Sequence, residues 1–148
     1  MKFDRRLLLG RALAIGASIA LPGILFAARP DKAFAATEAE NVIAELFGET
    51  PVASDRVSMK IPEIAENGAV VPVTISTDLE DVESVSVVVV NNPTPLAASF
   101  EFAPRTVPKI SVRIKMGETS VVQGVVKAGG KLYSVEKEVK VTIGGCGG

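Results

Sequence analysis

The sequence predicts an all-β fold, an immunoglobulin-like antiparallel sandwich of about seven strands, with a short helix before it. Apolar and polar residues alternate along most of the chain after Pro51, which is typical of strands that bury one face. Clusters of glycine, proline and asparagine separate these stretches at regular intervals, and such clusters mark turns. Seven short strands in one domain-sized chain favour two packed sheets. The chain has one Cys and no Trp, so the disulfide hallmark of antibody domains is missing and only the architecture is inferred.

Residues 1–35 predict a signal for export that is cleaved from the mature protein. Arg5 and Arg6 open a basic region, and residues 12–28 form an uncharged stretch of 17 residues. Residues 33–35 read Ala-Phe-Ala, which fits a small-residue cleavage site. The arginine pair before three leucines is similar to a twin-arginine signal, which predicts folded export to the periplasm. A membrane anchor is the alternative, although the apolar stretch is marginal in length for spanning a bilayer.

Composition limits the chemistry of the mature chain. From residue 36 onward there are ten basic and fifteen acidic residues, a net charge of about −5. A mildly acidic body without a basic run argues against nucleic acid or an anionic membrane as a partner. The chain contains no His, which excludes a zinc site built from His and Cys and a nucleophile activated by imidazole. We expect no metal, no cofactor and no catalytic residue.

Residues 37–47 predict the helix. Thr37 and Glu40 have the spacing of a capping box, and Gly48 is placed to end the helix. Apolar residues recur at helical spacing on one face, which predicts packing on the edge of the domain; they are Val42, Ile43, Leu46 and Phe47.

Seven strands are predicted from period-two alternation and turn signals. Residues 110–116 alternate most strictly, and Gly129-Gly130 between two strands indicates a hairpin. The last strand is long and leads directly into the end of the chain. The predicted strands lie near residues 57–61, 70–76, 84–90, 99–103, 109–116, 119–127 and 132–143.

The strand at residues 84–90 departs from alternation, because its far end is apolar on both faces. In an antiparallel sandwich one face usually meets water. Val88 and Val90 are therefore expected to be covered, either by a second subunit or by the helix at residues 37–47. The sequence does not distinguish the two.

The last five residues are predicted to be a flexible arm that carries a thiol. They hold the only Cys of the chain, and glycine widens the accessible backbone space. A thiolate is a strong nucleophile, but no cation, imidazole or helix N-terminus stands near this one in sequence. The tail thus offers access without activation, which favours a carrier over an enzyme. The arm consists of Gly144, Gly145, Cys146, Gly147 and Gly148.

Several stretches together resemble the SoxY family, the sulfur carriers of the periplasmic Sox system. The most specific is the terminal pentapeptide, followed by the strand at residues 139–143 and the twin-arginine-like leader. The helix end at residues 46–48 and the stretches at residues 61–68, 71–73, 92–93 and 102–105 also match. The resemblance covers essentially the whole mature chain, and the domain organisation is then a cleaved leader (1–35), a sandwich domain (36–143) and a carrier arm (144–148).

The resemblance implies a covalent carrier without catalytic activity of its own. It implies a heterodimer with SoxZ, and sulfur intermediates attached to Cys146. It also implies transient partners: SoxAX to join thiosulfate to the cysteine as an S-thiosulfonate, SoxB to release sulfate, and SoxCD to oxidise the remaining sulfur.

Two other readings remain open. One is a periplasmic docking module whose Cys146 forms an intermolecular disulfide, including a disulfide-linked dimer of this chain. The other is a cysteine-dependent enzyme, which the absence of His disfavours.

Overall fold

A computed structural model describes residues 29–142 of the chain. In this part there are two helices, α1 (Asp31–Ala35) and α2 (Ala39–Phe47). The strands of the same part are β1 (Val52–Ala53), β2 (Val57–Lys60), β3 (Ile64–Ala65), β4 (Val71–Thr77), β5 (Val82–Val89), β6 (Leu96–Glu101), β7 (Lys109–Ile114), β8 (Ser120–Ala128) and β9 (Lys131–Val141).

The strands form two sheets. The larger has the order β1-β9-β8-β5-β6, with β3 also pairing with β9, and the smaller has the order β2-β4-β7. The long neighbours are antiparallel, whereas the two-residue strands β1 and β3 run parallel to β9. The predicted sandwich of two sheets is confirmed.

The main core lies between the sheets. Alternate residues of β4, among them Val73 and Ile75, meet alternate residues of β5 and β8, such as Val87 and Val126, and all four are fully buried. Gly124 lies at the contact, where a Cβ atom would stand 2.7 Å from the Ile75 Cδ1 atom. Close packing of β-branched side chains therefore holds the sheets together, as expected from the alternation in the sequence.

Helix α2 covers part of the outer face of the larger sheet. Val42 of the helix is fully buried and belongs to a second cluster with Val88 and Leu96. The sequence left open whether a second subunit or the helix covers Val88. The structure shows that the helix covers it. Val90, by contrast, is 37% exposed.

The strand predictions agree with seven of the nine strands that the described residues contain, within a few residues at each end. The two-residue strands β1 and β3 were not predicted, because they are too short to show alternation. The strict alternation of residues 110–116 is confirmed, with Ile110 and Ile114 buried and Ser111 and Arg113 exposed.

The helix is confirmed, but its predicted capping box is wrong. The N-cap residue is Glu38, and no side chain caps the first turn. The Glu38 carboxylate instead accepts a hydrogen bond from the Asn41 side chain, at 3.0 Å. Gly48 ends the helix as predicted, with a φ of 73° and an N–H donating to the Ala44 carbonyl.

The predicted hairpin at Gly129-Gly130 is also confirmed. Both residues have positive φ, 55° and 71°, which suits a tight turn between twisted antiparallel strands.

Residues 1–28 of the predicted leader lie outside the described residues. Its last residues form α1, where Ala33 is buried against the second cluster. In residues 29–142 no helix has the length and apolarity needed to cross a membrane. Cleavage after Ala35 remains a prediction.

Candidate functional site

The predicted carrier residues lie just beyond the part of the chain that the structure describes. Cys146 and its four glycines follow Thr142, the last described residue. The end of β9 that leads into these residues is described, and it forms the candidate functional site.

A parallel pairing holds one side of that strand end. Residues of β3 lie beside the last residues of β9, with Ile64 opposite Lys140 and Ala65 opposite Val141. The Lys140 N–H donates to the Glu63 carbonyl at 2.9 Å, and the Thr142 N–H donates to the Ala65 carbonyl at 3.1 Å. Backbone hydrogen bonds thus continue to the last residue before residues 143–148.

A threonine side chain holds the same strand end from the loop before β8. The Thr119 hydroxyl accepts a hydrogen bond from the Val141 N–H at 3.0 Å. The Thr119 carbonyl in turn accepts one from the Asn91 side chain, also at 3.0 Å. Three segments distant in sequence therefore meet at the base of the arm.

The loop before β4 packs against this end without space for a side chain. The Gly68 carbonyl accepts a hydrogen bond from the Met116 N–H at 2.7 Å. A Cβ atom on Gly68 would collide with the Met116 carbonyl oxygen and stand 2.9 Å from Val141 Cγ1. Only a glycine lets the loop approach this closely.

Asn92 braces the next loop. Its side-chain amide donates to the Lys115 carbonyl at 2.7 Å, and its side-chain oxygen accepts from the Gly117 N–H at 3.1 Å. The Asn92 side chain thus bonds both the Lys115 carbonyl and the Gly117 N–H, and these two hydrogen bonds hold the turn between β7 and β8.

Two exposed apolar side chains lie next to this region. Ile64 is 57% exposed and Val70 is 49% exposed. Both line a shallow cleft of about 380 Å³, together with Pro62 and Pro72. The local sequence pattern of this stretch does not show that it lies at the arm, because its pairing with β9 is long-range.

A second groove lies elsewhere, between α2 and the outer face of the larger sheet. It has a volume of about 580 Å³ and is lined by Ile43 and Val90, among others. In its wall the Gln123 side chain donates to the Glu136 carboxylate at 2.8 Å.

One carboxyl group of the described residues has a shifted pKa. The pKa of Glu83 lies below its ordinary value of 4.5, first because Lys127 donates a hydrogen bond to it and second because the Gly130 N–H does. The Lys127 Nζ to Glu83 Oε2 distance is 2.9 Å. This pair lies beside the hairpin turn at Gly129-Gly130, at the opposite end of β9 from the arm.

Within residues 29–142, no group of three or more acidic, histidine or cysteine side chains is arranged to hold a metal ion. At the end of β9, backbone and side-chain hydrogen bonds hold the strand in place, and exposed apolar side chains lie next to it.

The comparison with protein-family models and the comparison with solved structures both include a match to one family. The family model described as "Sulfur oxidation protein SoxY" matches residues 43–146. A solved structure of the sulfur carrier protein SoxY from Chlorobium limicola f thiosulfatophilum shares 45% sequence identity, with a TM-score of 0.64. The match covers 70% of this chain and 96% of that one.

A superoxide reductase (neelaredoxin) from Ignicoccus hospitalis has a TM-score of 0.55 at 17% identity, over 65% of this chain and 98% of that one. At this identity the likeness shows a shared fold alone. The comparison with curated proteins gives no match.

Proposed function

The chain belongs to the SoxY family of sulfur oxidation proteins, and on that premise we propose that it carries sulfur intermediates covalently on Cys146. A sulfur-carrier role in the Sox system follows from the family. The attachment site, the arm and the individual steps are the proposal. The observation that carries it is the match to the family model through residue 146, which includes the only Cys of the chain.

In the proposed cycle the chain contributes a thiol and its partners contribute the chemistry. SoxAX joins thiosulfate to the Cys146 thiolate with the removal of two electrons, and a sulfur–sulfur bond forms to give the S-thiosulfonate. SoxB adds water across the terminal bond, which releases sulfate and two protons and leaves a persulfide on Cys146. SoxCD then oxidises the sulfane sulfur that remains on Cys146 and takes up its electrons, or this sulfur is transferred to another acceptor.

The fold supports this division of labour. Hydrogen bonds from Val141 and Thr142 fix the strand end, whereas four glycines surround the thiol. A fixed base with a thin tether lets one thiol enter several active sites in turn. The proposal also includes pairing with SoxZ and export through the twin-arginine route, with cleavage after Ala35. The mature protein would then act in the periplasm.

The test is the intact mass of the mature protein, purified from the periplasm of cells grown with thiosulfate, before and after a reductant. We expect added masses of sulfur or sulfonate groups that the reductant removes and that are absent in Cys146→Ser. The chain shortened by residues 144–148 should still fold and pair with SoxZ. Full thiosulfate-dependent activity of Cys146→Ser in a reconstituted system would overturn the proposal.

The second candidate function is a docking module whose Cys146 forms a disulfide with a partner. The same measurement distinguishes it, since a docking module would show one unmodified mass after separation from its disulfide partner. A disulfide-linked dimer of this chain would appear as twice that mass and would be an inactive side product.

A further inference from the structure

We propose that Pro62, Ile64, Val70 and Pro72, called here the apolar rim, form the docking surface for the enzymes that act on the arm. This inference rests on the proposed carrier function and deepens it by naming the surface. The four residues line one cleft, and Ile64 and Val70 expose about half of their surface. Removing such apolar surface from water is favourable, and these side chains are neighbours around one cleft rather than scattered singly, which suits an interaction site.

The rim lies next to the base of the arm. Ile64 is the pairing partner of Lys140, and Ala65 that of Val141. Paired strands are about 4.8 Å apart. The backbone at Ile64 and Ala65 is therefore one strand spacing away from the last residues of β9, just before residues 143–148 begin.

The length of the arm limits how far an enzyme that binds Cys146 can be from the rim. Cys146 follows Thr142 by four residues, and an extended chain spans at most about 3.5 Å per residue, so the Cα atom of Cys146 lies within ~14 Å of that of Thr142. An enzyme that holds the cysteine in a recessed active site must enclose most of this length. Its surface then reaches the strand end and the rim beside it.

The rim is also fixed in shape. Gly68, between Ile64 and Val70, is held against Met116 and Val141 without room for a side chain. The Asn67 side chain accepts a hydrogen bond from the Ala69 N–H at 2.9 Å, which closes the turn. A surface formed before binding loses little conformational entropy on docking, which suits a carrier that must bind and leave several enzymes.

Charge indicates the chemistry of the partner surface. Glu63 and Glu66 flank Ile64 and are exposed, and the exposed Lys140 opposite Ile64 offsets only one of these two charges, on a chain that is acidic after the leader. The fitting partner is an enzyme whose active-site mouth has an apolar border with basic side chains next to it. Opposite charges speed such encounters, and a small interface keeps them transient.

The test bypasses the loading enzyme. Tetrathionate reacts with the Cys146 thiolate by sulfur–sulfur exchange, which forms the S-thiosulfonate and releases thiosulfate without a net change of electrons. The loaded heterodimer with SoxZ is then given to SoxB, and sulfate release is followed against carrier concentration. The variants are Ile64→Lys and Val70→Lys, with Ile64→Leu as the conservative exchange.

The matched control is Val107→Lys. Val107 is 76% exposed and precedes β7, whose first residue pairs with Ser76 at the end of β4 far from the arm. It therefore offers the same chemistry at the opposite end of the sandwich.

We expect Ile64→Lys and Val70→Lys to raise KM by about tenfold or more with kcat unchanged, since docking precedes the chemical step. Tetrathionate loading should be equal in every variant, and Ile64→Leu and Val107→Lys should behave as the wild type. Glu66→Lys should raise KM in the same direction. If a lysine variant fails to fold, Ile64→Thr and Val70→Thr replace it.

An unchanged KM in the rim variants would overturn the docking surface while leaving the carrier function intact. Loss of pairing with SoxZ in those variants would overturn it as well, because the rim would then belong to the permanent interface. Failure of the wild type to load at Cys146 would instead contradict the proposed function itself.

Discussion

Gly68 lies so close to Val141 that a Cβ atom at position 68 would stand 2.9 Å from the Val141 Cγ1 atom. The two residues belong to a loop and a strand that are far apart in sequence. Their contact, with the Gly68–Met116 hydrogen bond beside it, ties the apolar rim to the base of the arm.

The first prediction concerns this contact. Gly68→Ala places a methyl group against backbone and Val141 at once, and backbone cannot move aside as the end of a side chain can. Overpacking of this kind costs about 1–3 kcal/mol. We expect a lower free energy of unfolding by that amount in urea, with an unchanged m-value.

Gly117→Ala is the matched control. Its nearest neighbour to an added Cβ atom is the Asn92 side-chain oxygen at 3.9 Å, which is ordinary contact. The change in unfolding free energy should stay within about 0.5 kcal/mol, as for other surface positions. Equal losses in the two variants would contradict the role of Gly68.

The second prediction concerns Thr119, whose hydroxyl accepts a hydrogen bond from the Val141 N–H. Thr119→Val removes the acceptor but keeps the shape of the side chain. A hydrogen bond of this kind contributes about 1 kcal/mol, so we expect the Val141 amide to exchange with solvent about fivefold faster. The Lys140 amide, which donates to Glu63, should change little. An unchanged rate at Val141 would show that the hydroxyl does not hold the strand end.

The third prediction concerns Glu83 and pH. Lys127 lowers the pKa of the Glu83 carboxyl in the folded protein below 4.5. A lowered pKa stabilises the fold above the unfolded-state pKa, and this contribution is lost as pH falls through the folded-state pKa. Lys127→Met should therefore raise the pKa of Glu83 in an NMR titration. The difference in stability between wild type and variant should shrink as pH falls below 4.5.

Lys131→Met is the control for this pair. Lys131 is exposed and begins the strand after the hairpin, but it is not among the causes of the shift. The pKa of Glu83 should keep its wild-type value in this variant. A rise as large as that in Lys127→Met would assign the shift to general charge rather than to the hydrogen bond.

Local pattern was enough to predict the long strands, because most of them alternate along part of their length and turn signals separate them. It was not enough for β3, whose two residues are defined by their pairing with Lys140 and Val141. The candidate site shows the same division. The single Cys marks Cys146 in the sequence, whereas the brace formed by Thr119, Asn92 and Gly68 depends on contacts between distant segments, which no local pattern contains.

For Val88 the sequence left two possibilities open, because a local pattern does not show which segment packs on a strand. A strand with two apolar faces must be covered, but sequence alone does not say by what. The structure places Val42 of α2 on it, so the helix supplies part of the core on the outer face. To predict from the sequence that the helix covers Val88, one would need to know in which direction the helix crosses the sheet.

The last prediction follows from α1, which joins the same cluster through Ala33 and Phe34. If the leader is cleaved after Ala35, the mature chain loses both side chains. We compare a chain that begins at Ala36 with one that begins at Arg29, in urea unfolding. Removing one buried alanine and a half-buried phenylalanine should cost about 1–2 kcal/mol.

The shortened chain should nevertheless fold, because the core between the sheets contains no residue of α1. Its unfolding should remain a single transition, and the N-terminus of the exported protein should be Ala36 by mass spectrometry. A chain from Ala36 that does not fold would contradict cleavage at that position, since the mature protein would then lack part of its required core. If the chain from Ala36 is stable, cleavage removes α1 from the second cluster, and Val42 and Leu96 are then less covered in the mature protein than in the uncleaved one.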